Sequence, residues 1–582
     1  MAPTPLRLLQ ARVLQAVHDA YGSVPLPESL VQPTRDPRHG DFTSPVAMAL
    51  ARTLRRPPDE VALRLASVLD VTGICEAPEV ADPGFLNLRL RDSWLARRVE
   101  GLVVDGPDWA QGQVPKRVVV DYSGPNVAKE MHVGHLRSTI IGDALANVAE
   151  ALGHHVERVS HVGDWGTQFG MLIAHLDDAA ARGEALPASI GEAEARYREA
   201  SARFGDDPEF RDRARRRVVD LQSGDPGARE RWQSLVALST AENAKVFQLL
   251  GVEGLVERGE SSYQDALAGV VADLEAAGLV VVDGGAKCVF VPGFTNAEGD
   301  PLPLIVQKAD GAYNYATTDL AALRSRVEAG ADRILYVADA GQSQHFAMVF
   351  SVARTAGWLP PGVDASHVAF GLVLGEDGQR LRTRSGDNVR LADLLDEATA
   401  RARAFVEQRA AEQGQDRPGD IDTLARVIGI GAVKYADLSQ NRQSGYAFSF
   451  DRMLSLKGNT APYLQYAYAR IRSILREAGG QGDGPAGKVA VGLDQPQERA
   501  LALSLALVGD VVERVASEAL PSLLCTHLYE LSQAYNQFYE HCPVLKADGE
   551  AVRSSRLALC QATATTLAGG LGLLGIEVLD RI

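Results

Sequence analysis

The stretch from Arg117 to about residue 180 most constrains what this chain folds into. Arg117-Val-Val-Val-Asp-Tyr122 is a short β-branched run, the loop after it is rich in Gly and Pro, and a helical pattern begins near Gly134. A second extended segment near Val156 to Val162 and a helix from Thr167 repeat that order. Strands alternating with helices predict a parallel, doubly wound sheet with helices on its faces. The alternation lapses over residues 182–276, which read as mostly helical and highly charged, including Arg211 to Arg217. It resumes with extended segments at Leu279 to Val282, Cys288 to Val291, Leu304 to Gln307, Arg333 to Val337 and His367 to Leu374, and with helices over Thr317 to Glu328 and Gln342 to Thr355. The expectation is an α/β protein whose central domain, residues 111–390, is a split Rossmann-like nucleotide-binding fold with a helical insertion at about 182–276.

The flanks read differently. Residues 1–110 combine helical patterns (Leu8 to Tyr21, Ser44 to Arg55, Pro58 to Leu69) with the alternating stretch Gly84 to Leu90, a small α+β domain ending in a Gly/Pro/Asp-containing linker, Val104 to Gln113. Residues 391–582 are helical almost throughout, an all-helical C-terminal domain. At about 150 residues per domain, 582 residues accommodate three or four such units.

Composition removes several classes. With 46% apolar residues the chain is not disordered, and its five cysteines form no CxxC pair and are odd in number, which argues against a zinc ribbon or a disulfide framework. No apolar run approaches the roughly 20 residues of a membrane span, so a cytoplasmic location in a reducing compartment is expected. The net charge of -16 lowers the prior for indiscriminate nucleic-acid binding without excluding a specific site. Lysine is scarce, 9 against 50 arginines, so a lysine at a motif position carries more information than usual.

The chemistry starts at His132-Val-Gly-His135, placed where a strand, a loop and a helix meet. A helix N-terminus presents unpaired N–H groups to a phosphate, imidazoles donate to its oxygens, and Gly134 lets a ligand approach the backbone. The i, i+3 spacing of the histidines would also allow a metal pair, but no Cys/His/Glu cluster nearby supplies further ligands, and no protein metal site is expected.

The longer stretch Asp121-Tyr-Ser-Gly-Pro-Asn-Val-Ala-Lys-Glu-Met-His-Val-Gly-His-Leu-Arg-Ser-Thr-Ile-Ile-Gly-Asp143 resembles the signature region of class I aminoacyl-tRNA synthetases, specifically the arginyl enzymes of bacterial type. His161-Val-Gly-Asp-Trp-Gly-Thr-Gln-Phe-Gly170, Tyr315-Ala-Thr-Thr-Asp-Leu320, Gly458-Asn-Thr-Ala-Pro-Tyr-Leu-Gln-Tyr466 and Phe538-Tyr-Glu-His-Cys-Pro-Val544 resemble further segments of that family, in its order. Weaker likeness reaches Gly40-Asp-Phe42 and Pro83-Gly-Phe-Leu-Asn87 in the N-terminal domain.

The resemblance implies ATP-dependent activation of L-arginine to arginyl-adenylate and transfer to the 3′ end of tRNA(Arg). Mg²⁺ accompanies ATP on its phosphate oxygens, and no tightly bound cofactor is implied. His132, Gly134 and His135 would bind ATP, the histidines stabilising the transition state. The second class I signature, KMSKS, aligns with Gly378-Gln-Arg-Leu-Arg-Thr-Arg-Ser-Gly386, where Arg380, Thr383 and Arg384 stand for Lys, Lys and Ser or Arg. The essential second lysine is absent. Many arginyl enzymes share this departure and carry a lysine just before the histidine motif, here Lys129. The amino-acid pocket maps onto Asp121, Asn126, Tyr315, Asp319 and Gln342, with Asp319 holding the guanidinium helped by Asp121 and Tyr315, and Asn126 and Gln342 addressing the α-amino and carboxylate end.

By the same resemblance residues 391–582 form an anticodon-binding domain, with Tyr463, Tyr466, Tyr468, Arg470, Arg472, Tyr535 and Tyr539 as candidate RNA contacts. Residues 1–110 would touch the tRNA elbow, with Arg52, Arg55 and Arg56 as candidate phosphate contacts, and the protein would be a monomer. Residues 1–110 carry a net -2 and residues 421–582 a net -1, so the acidic excess lies in the middle of the chain and leaves the proposed RNA-binding ends nearly neutral. A non-catalytic regulatory homologue would show a broken histidine motif or lack Lys129, and both are intact.

Overall fold

Five parallel strands form the sheet that carries the site: β1 (Arg117–Asp121), β2 (His155–Val162), β3 (Val256–Gly259), β4 (Arg333–Tyr336) and β5 (Asp364–His367), in the order β5-β4-β1-β2-β3. The computed structural model describes residues 3–34, 36–110, 112–296, 298–382, 389–412, 420–479 and 490–582. Val118, Val119 and Val120 of β1 are all buried, as a central strand covered on both faces demands. The chain runs outward from β1 to β2 and β3, then returns to the other side of β1 as β4. This reversal is the topological switch point, where open α/β sheets bind ligands beyond the strand C-termini.

Helix α1 (Val133–Ala151) follows β1 and is buried along most of its length. Gly142 lies against Tyr122: a Cβ there would meet Tyr122 Cβ and Cγ at 2.3 Å, so glycine is what lets this helix approach the end of β1. Helix α2 (Thr167–Ala181) leads into α3 (Ile190–Asp206), α4 (Pro208–Ser223) and α5 (Pro226–Leu249), the helical insertion. Four of its arginines are answered by the preceding helix: Asp178 of α2 binds Arg203 and Arg213, and Asp177 binds Arg217 and Arg231.

The split Rossmann-like core is present, with two differences from expectation. The insertion ends at Leu249 rather than near 276, because the polar segment Val256–Gly259 is an edge strand of the main sheet. Its residues are exposed or half-buried, so it lacks the apolar run that reveals inner strands. The segments Val281–Asp283, Ala286–Thr295 and Pro301–Gln307 do not extend the parallel sheet but form a separate antiparallel one. Gly284 and Gly285, both at positive φ, make the two-residue hairpin turn that imposes this. Beyond them come α6 (Tyr315–Glu328), α7 (Ser343–Thr355), α8 (Leu391–Glu412) and α9 (Ile421–Leu438).

The chain divides into two compact units: Val114–Ser455 with Leu574–Ile576, and Met1–Gln113 with Leu456–Leu573 and Glu577–Ile582. The helical boundary expected at 391 therefore falls elsewhere, since α8 and α9 pack on α1 within the first unit. In the second unit the N-terminal residues and the last helices share one body. Trp94, Leu95, Val99 and Leu102 of the Asp92–Asp105 helix are buried, and that helix packs on the Pro496–Glu518 and Glu550–Leu573 helices. Arg499 fastens them by binding Asp41 and Asp92. Tyr535 and Tyr468 of this unit are buried, Tyr468 donating to Asp580, so neither offers a stacking face. Tyr466 is exposed, as are Arg52, Arg55 and Arg56.

Candidate active site

A cleft of about 790 Å³ opens at the switch point, lined by the ends of β1 and β4, the start of α1, and parts of α6 and α7. Ser138 of α1 closes its floor by accepting from Ser123 N–H at 2.8 Å and donating to Val337 O at 2.6 Å, which ties the strand ends on either side of the switch.

His132 caps α1. Its Nδ1 accepts Gly134 N–H at 3.0 Å, and His135 Nδ1 accepts His132 N–H at 3.0 Å, a capping box built from two imidazoles with ring centroids 4.1 Å apart. Burial, followed by the charge of Arg380, holds His132 below the usual histidine range, and burial, followed by His132, pushes His135 down to about 3. Both rings are therefore neutral near pH 7, and since each Nδ1 accepts, each proton sits on Nε2. Gly134 lines the cleft, but the closest neighbour a Cβ would meet is the His132 ring itself, at 2.6 Å. Its glycine thus serves the histidine cap before any ligand.

Asp319 of α6 lies within 2.6 Å of His345 Nε2 and 3.9 Å of His161 Nε2. Tyr315, one turn earlier, is exposed and its ring centroid is 4.9 Å from that of His345. Asn126 and Gln342 are exposed on the same lining. Asp121 also lines the cleft, but its Oδ2 accepts from the buried Arg326 at 2.7 Å. Asp121 is thus on the cleft lining with one carboxylate oxygen held by an internal arginine.

Glu260 also lines the cleft, a residue the sequence reading missed. Burial, then the neighbouring carboxylates Asp319 and Asp164, push its carboxyl up to about 8. Asp164 accepts from Ser261 N–H at 2.9 Å and Ser261 Oγ at 2.6 Å, which fixes the turn carrying Glu260. Two carboxyl groups crowded in this way are a site for a cation with forked donors.

Lys129 is not on the lining. Its Nζ lies 4.5 Å from the centroid of Tyr197 in the insertion, while its charge is still felt at both His132 and His135. Arg380 lines the cleft; Arg384, with Thr383, lies outside the described residues.

Residues 99–450 match the family described as tRNA synthetases class I (R), catalytic domain; residues 464–582 match the DALR anticodon binding domain, and residues 7–90 the arginyl tRNA synthetase N terminal domain. An arginine–tRNA ligase of Synechococcus sp. is 52% identical over 584 residues, covering 99% of this chain and 100% of its own. The chain belongs to the arginyl-tRNA synthetases. An arginine–tRNA ligase of Thermosynechococcus vestitus is 51% identical, over 99% of this chain and 100% of its own. Among solved structures, arginyl-tRNA synthetases from Plasmodium falciparum (TM-score 0.85, 28% identity, 100% of both chains) and Thermus thermophilus (TM-score 0.80, 27% identity, 99% and 100%) share the whole fold. As a synthetase of this family the chain charges tRNA(Arg) with arginine at the expense of ATP, and none of its described helices is long and apolar enough to cross a membrane.

Proposed function

We propose that the cleft at the switch point performs both steps of arginylation, with Glu260 and Asp319 as the guanidinium clamp and the α1 N-terminus as the phosphate site. The observation that carries this is the crowding of two carboxyls on the same lining as two neutral, Nε2-protonated histidines. A guanidinium presents parallel donors to carboxylates, and its charge offsets the burial and the neighbouring carboxylates that keep Glu260 protonated. Tyr315 flanks the side chain, and Asn126 and Gln342 orient the α-amino and carboxylate groups.

In the first step an arginine carboxylate oxygen attacks the α-phosphorus of ATP, the bond to the bridging oxygen breaks, and pyrophosphate leaves. His132 and His135 donate Nε2–H to phosphate oxygens as charge shifts onto the leaving group, and Arg380 and Lys129 balance that charge, with Arg384 assigned there from the sequence alone. Among the described residues no group of three or more His, Cys, Asp or Glu side chains is arranged to hold a metal ion, which fits Mg²⁺ arriving on the phosphates of ATP. In the second step a hydroxyl of the terminal ribose attacks the acyl carbon and AMP departs. Residues 464–582 read the anticodon and residues 7–90 touch the tRNA elbow in this proposal, supported by the domains they match.

A cytoplasmic monomer without a resident cofactor completes the reading, and sedimentation of the free protein tests its oligomeric part. The deciding experiment is aminoacylation of tRNA transcripts with each of the twenty amino acids, anticodon variants included. Charging restricted to arginine on tRNA(Arg) supports the proposal; charging with another amino acid, or none, defeats it.

A further inference from the structure

The helical insertion grips the short segment that leads into the histidine motif. Val127 and Ala128 are buried in one apolar cluster with Phe169 and Leu172 of α2 and with Ala193 and Leu235 of the insertion. Ala128, a non-glycine residue at φ 62°, donates its N–H to Ser239 Oγ at 2.9 Å, and Ser239 is itself buried and donates to Leu235 O at 2.8 Å. Glu130 donates its N–H to Glu194 Oε2 at 3.3 Å. Between these two fastenings, the Lys129 ammonium rests on the face of Tyr197, one turn along α3 from Glu194.

The nearby carboxylates are already taken, Glu130 by Arg390 and Glu194 by Arg198. Among the described residues Lys129 forms no ion pair. An aromatic face attracts an ammonium without neutralising it, so the charge stays available to a stronger anion. We propose that Tyr197 is a positioning residue for arginine activation: its ring keeps the Lys129 ammonium beside the histidine motif and out of the protein's own ion pairs, so that the ATP phosphates draw it in. The proposal rests on the reading of Lys129 as a phosphate contact. It gives the insertion a task at the catalytic centre, steering the one motif lysine in a chain whose KMSKS-like segment lacks its second.

The test is a series of full-length variants with Tyr197→Phe and then phenylalanines bearing one, two or three ring fluorines at this position, which keep the ring's shape while draining its negative face. Pyrophosphate exchange is measured with saturating arginine and tRNA, alongside thermal melts. We expect Tyr197→Phe to match the unsubstituted enzyme, and kcat/KM for ATP to fall stepwise with fluorination, by about 2- to 30-fold at the end of the series. KM for arginine and the melting temperature stay unchanged, and in a Lys129→Ala background the series becomes flat. A flat or rising series with Lys129 present, or a decline that persists without it, overturns the role of Tyr197 alone. Normal exchange by Lys129→Ala itself overturns the assignment of Lys129 and this inference together.

Discussion

His345 Nε2 lies 2.6 Å from Asp319 Oδ2, and Glu260 on the same lining has no comparable side-chain partner among the described residues. One carboxylate is oriented and the other is left for the ligand. Asp319→Asn removes a charge from a desolvated pair with the guanidinium and should raise KM for arginine by about 100-fold or more. His345→Gln, which loosens Asp319 without removing its charge, should raise the same KM by a smaller factor and leave KM for ATP unchanged. Steady-state exchange with each substrate varied separately checks both.

Glu260 makes arginine capture depend on pH. With its carboxyl pushed up to about 8 by burial, Asp319 and Asp164, arginine must displace a proton to bind below that value. We expect kcat/KM for arginine to rise up to about tenfold per pH unit on the acid side of 8 and to level off above it. Glu260→Gln should flatten the profile at a much lower value. The sign for stability is opposite: a carboxyl whose folded value is raised adds stability that is fully present below its ordinary 4.5 and is lost as pH rises toward about 8. Glu260→Gln should therefore melt higher than the unsubstituted protein at pH 8, and the gap should close as pH falls toward 4.5. A profile of kcat/KM that is flat through pH 8 contradicts the assignment.

The imidazole pair makes the opposite prediction for the chemical step. His135, held at about 3, and His132, lowered by burial and Arg380, remain neutral donors across the neutral range. At saturating arginine, kcat for activation should show no limb centred at or above the ordinary histidine value of 6.5. Replacing either ring by alanine should lower kcat by about 10² to 10³, the usual loss for a donor to developing negative charge. A limb centred on the ordinary histidine value would mean that one of the rings works as the imidazolium.

The histidine motif was legible because its chemistry sits on a local feature, a helix N-terminus directly after an apolar central strand. Asp319 and Tyr315 came from the family resemblance alone, and the structure puts both on the cleft lining in the first turns of α6. Glu260 was not legible, because the short turn that carries it follows β3, whose Val-Glu-Arg-Gly pattern lies at the sheet edge and looks like charged surface. What sets it apart is burial together with the nearby charge of Asp319, 59 positions along the chain. The partner of Asp121 was equally hidden: Arg326, at the far end of α6, reaches back to its Oδ2. The same blindness applies to Lys129, whose partner Tyr197 belongs to a segment that reads as a solvated helix.

Gly142 offers a test of the packing that presents the motif. A methyl group there would come within 2.3 Å of Tyr122, a buried side chain adjoining the strand end. Gly142→Ala should destabilise the protein by about 1–3 kcal/mol through overpacking, read as a lower urea midpoint with unchanged slope. Because α1 carries both histidines, kcat should fall with stability, whereas Gly205→Ala, where a Cβ meets nothing within 4 Å, should leave both intact.

The proposed pairing of Glu260 and Asp319 with a guanidinium also decides which amino acids are admitted. Selectivity built on charged hydrogen bonds rejects a ligand that leaves those groups unpaired by about 10⁴ to 10⁵, whereas one methylene is worth only about 10- to 200-fold. Citrulline offers no cation to Glu260 and Asp319, and lysine offers a point charge without the fork, so both should fail in exchange without any hydrolytic proofreading. The insertion agrees with this, its helices being engaged with Asp177, Asp178 and the Lys129 segment. Canavanine, whose guanidinooxy group keeps both the fork and nearly the shape of arginine, should be activated at millimolar concentration. Its activation should also depend on Glu260 and Asp319 to the same degree as that of arginine. Canavanine turnover that survives Asp319→Asn would place the guanidinium elsewhere in the cleft.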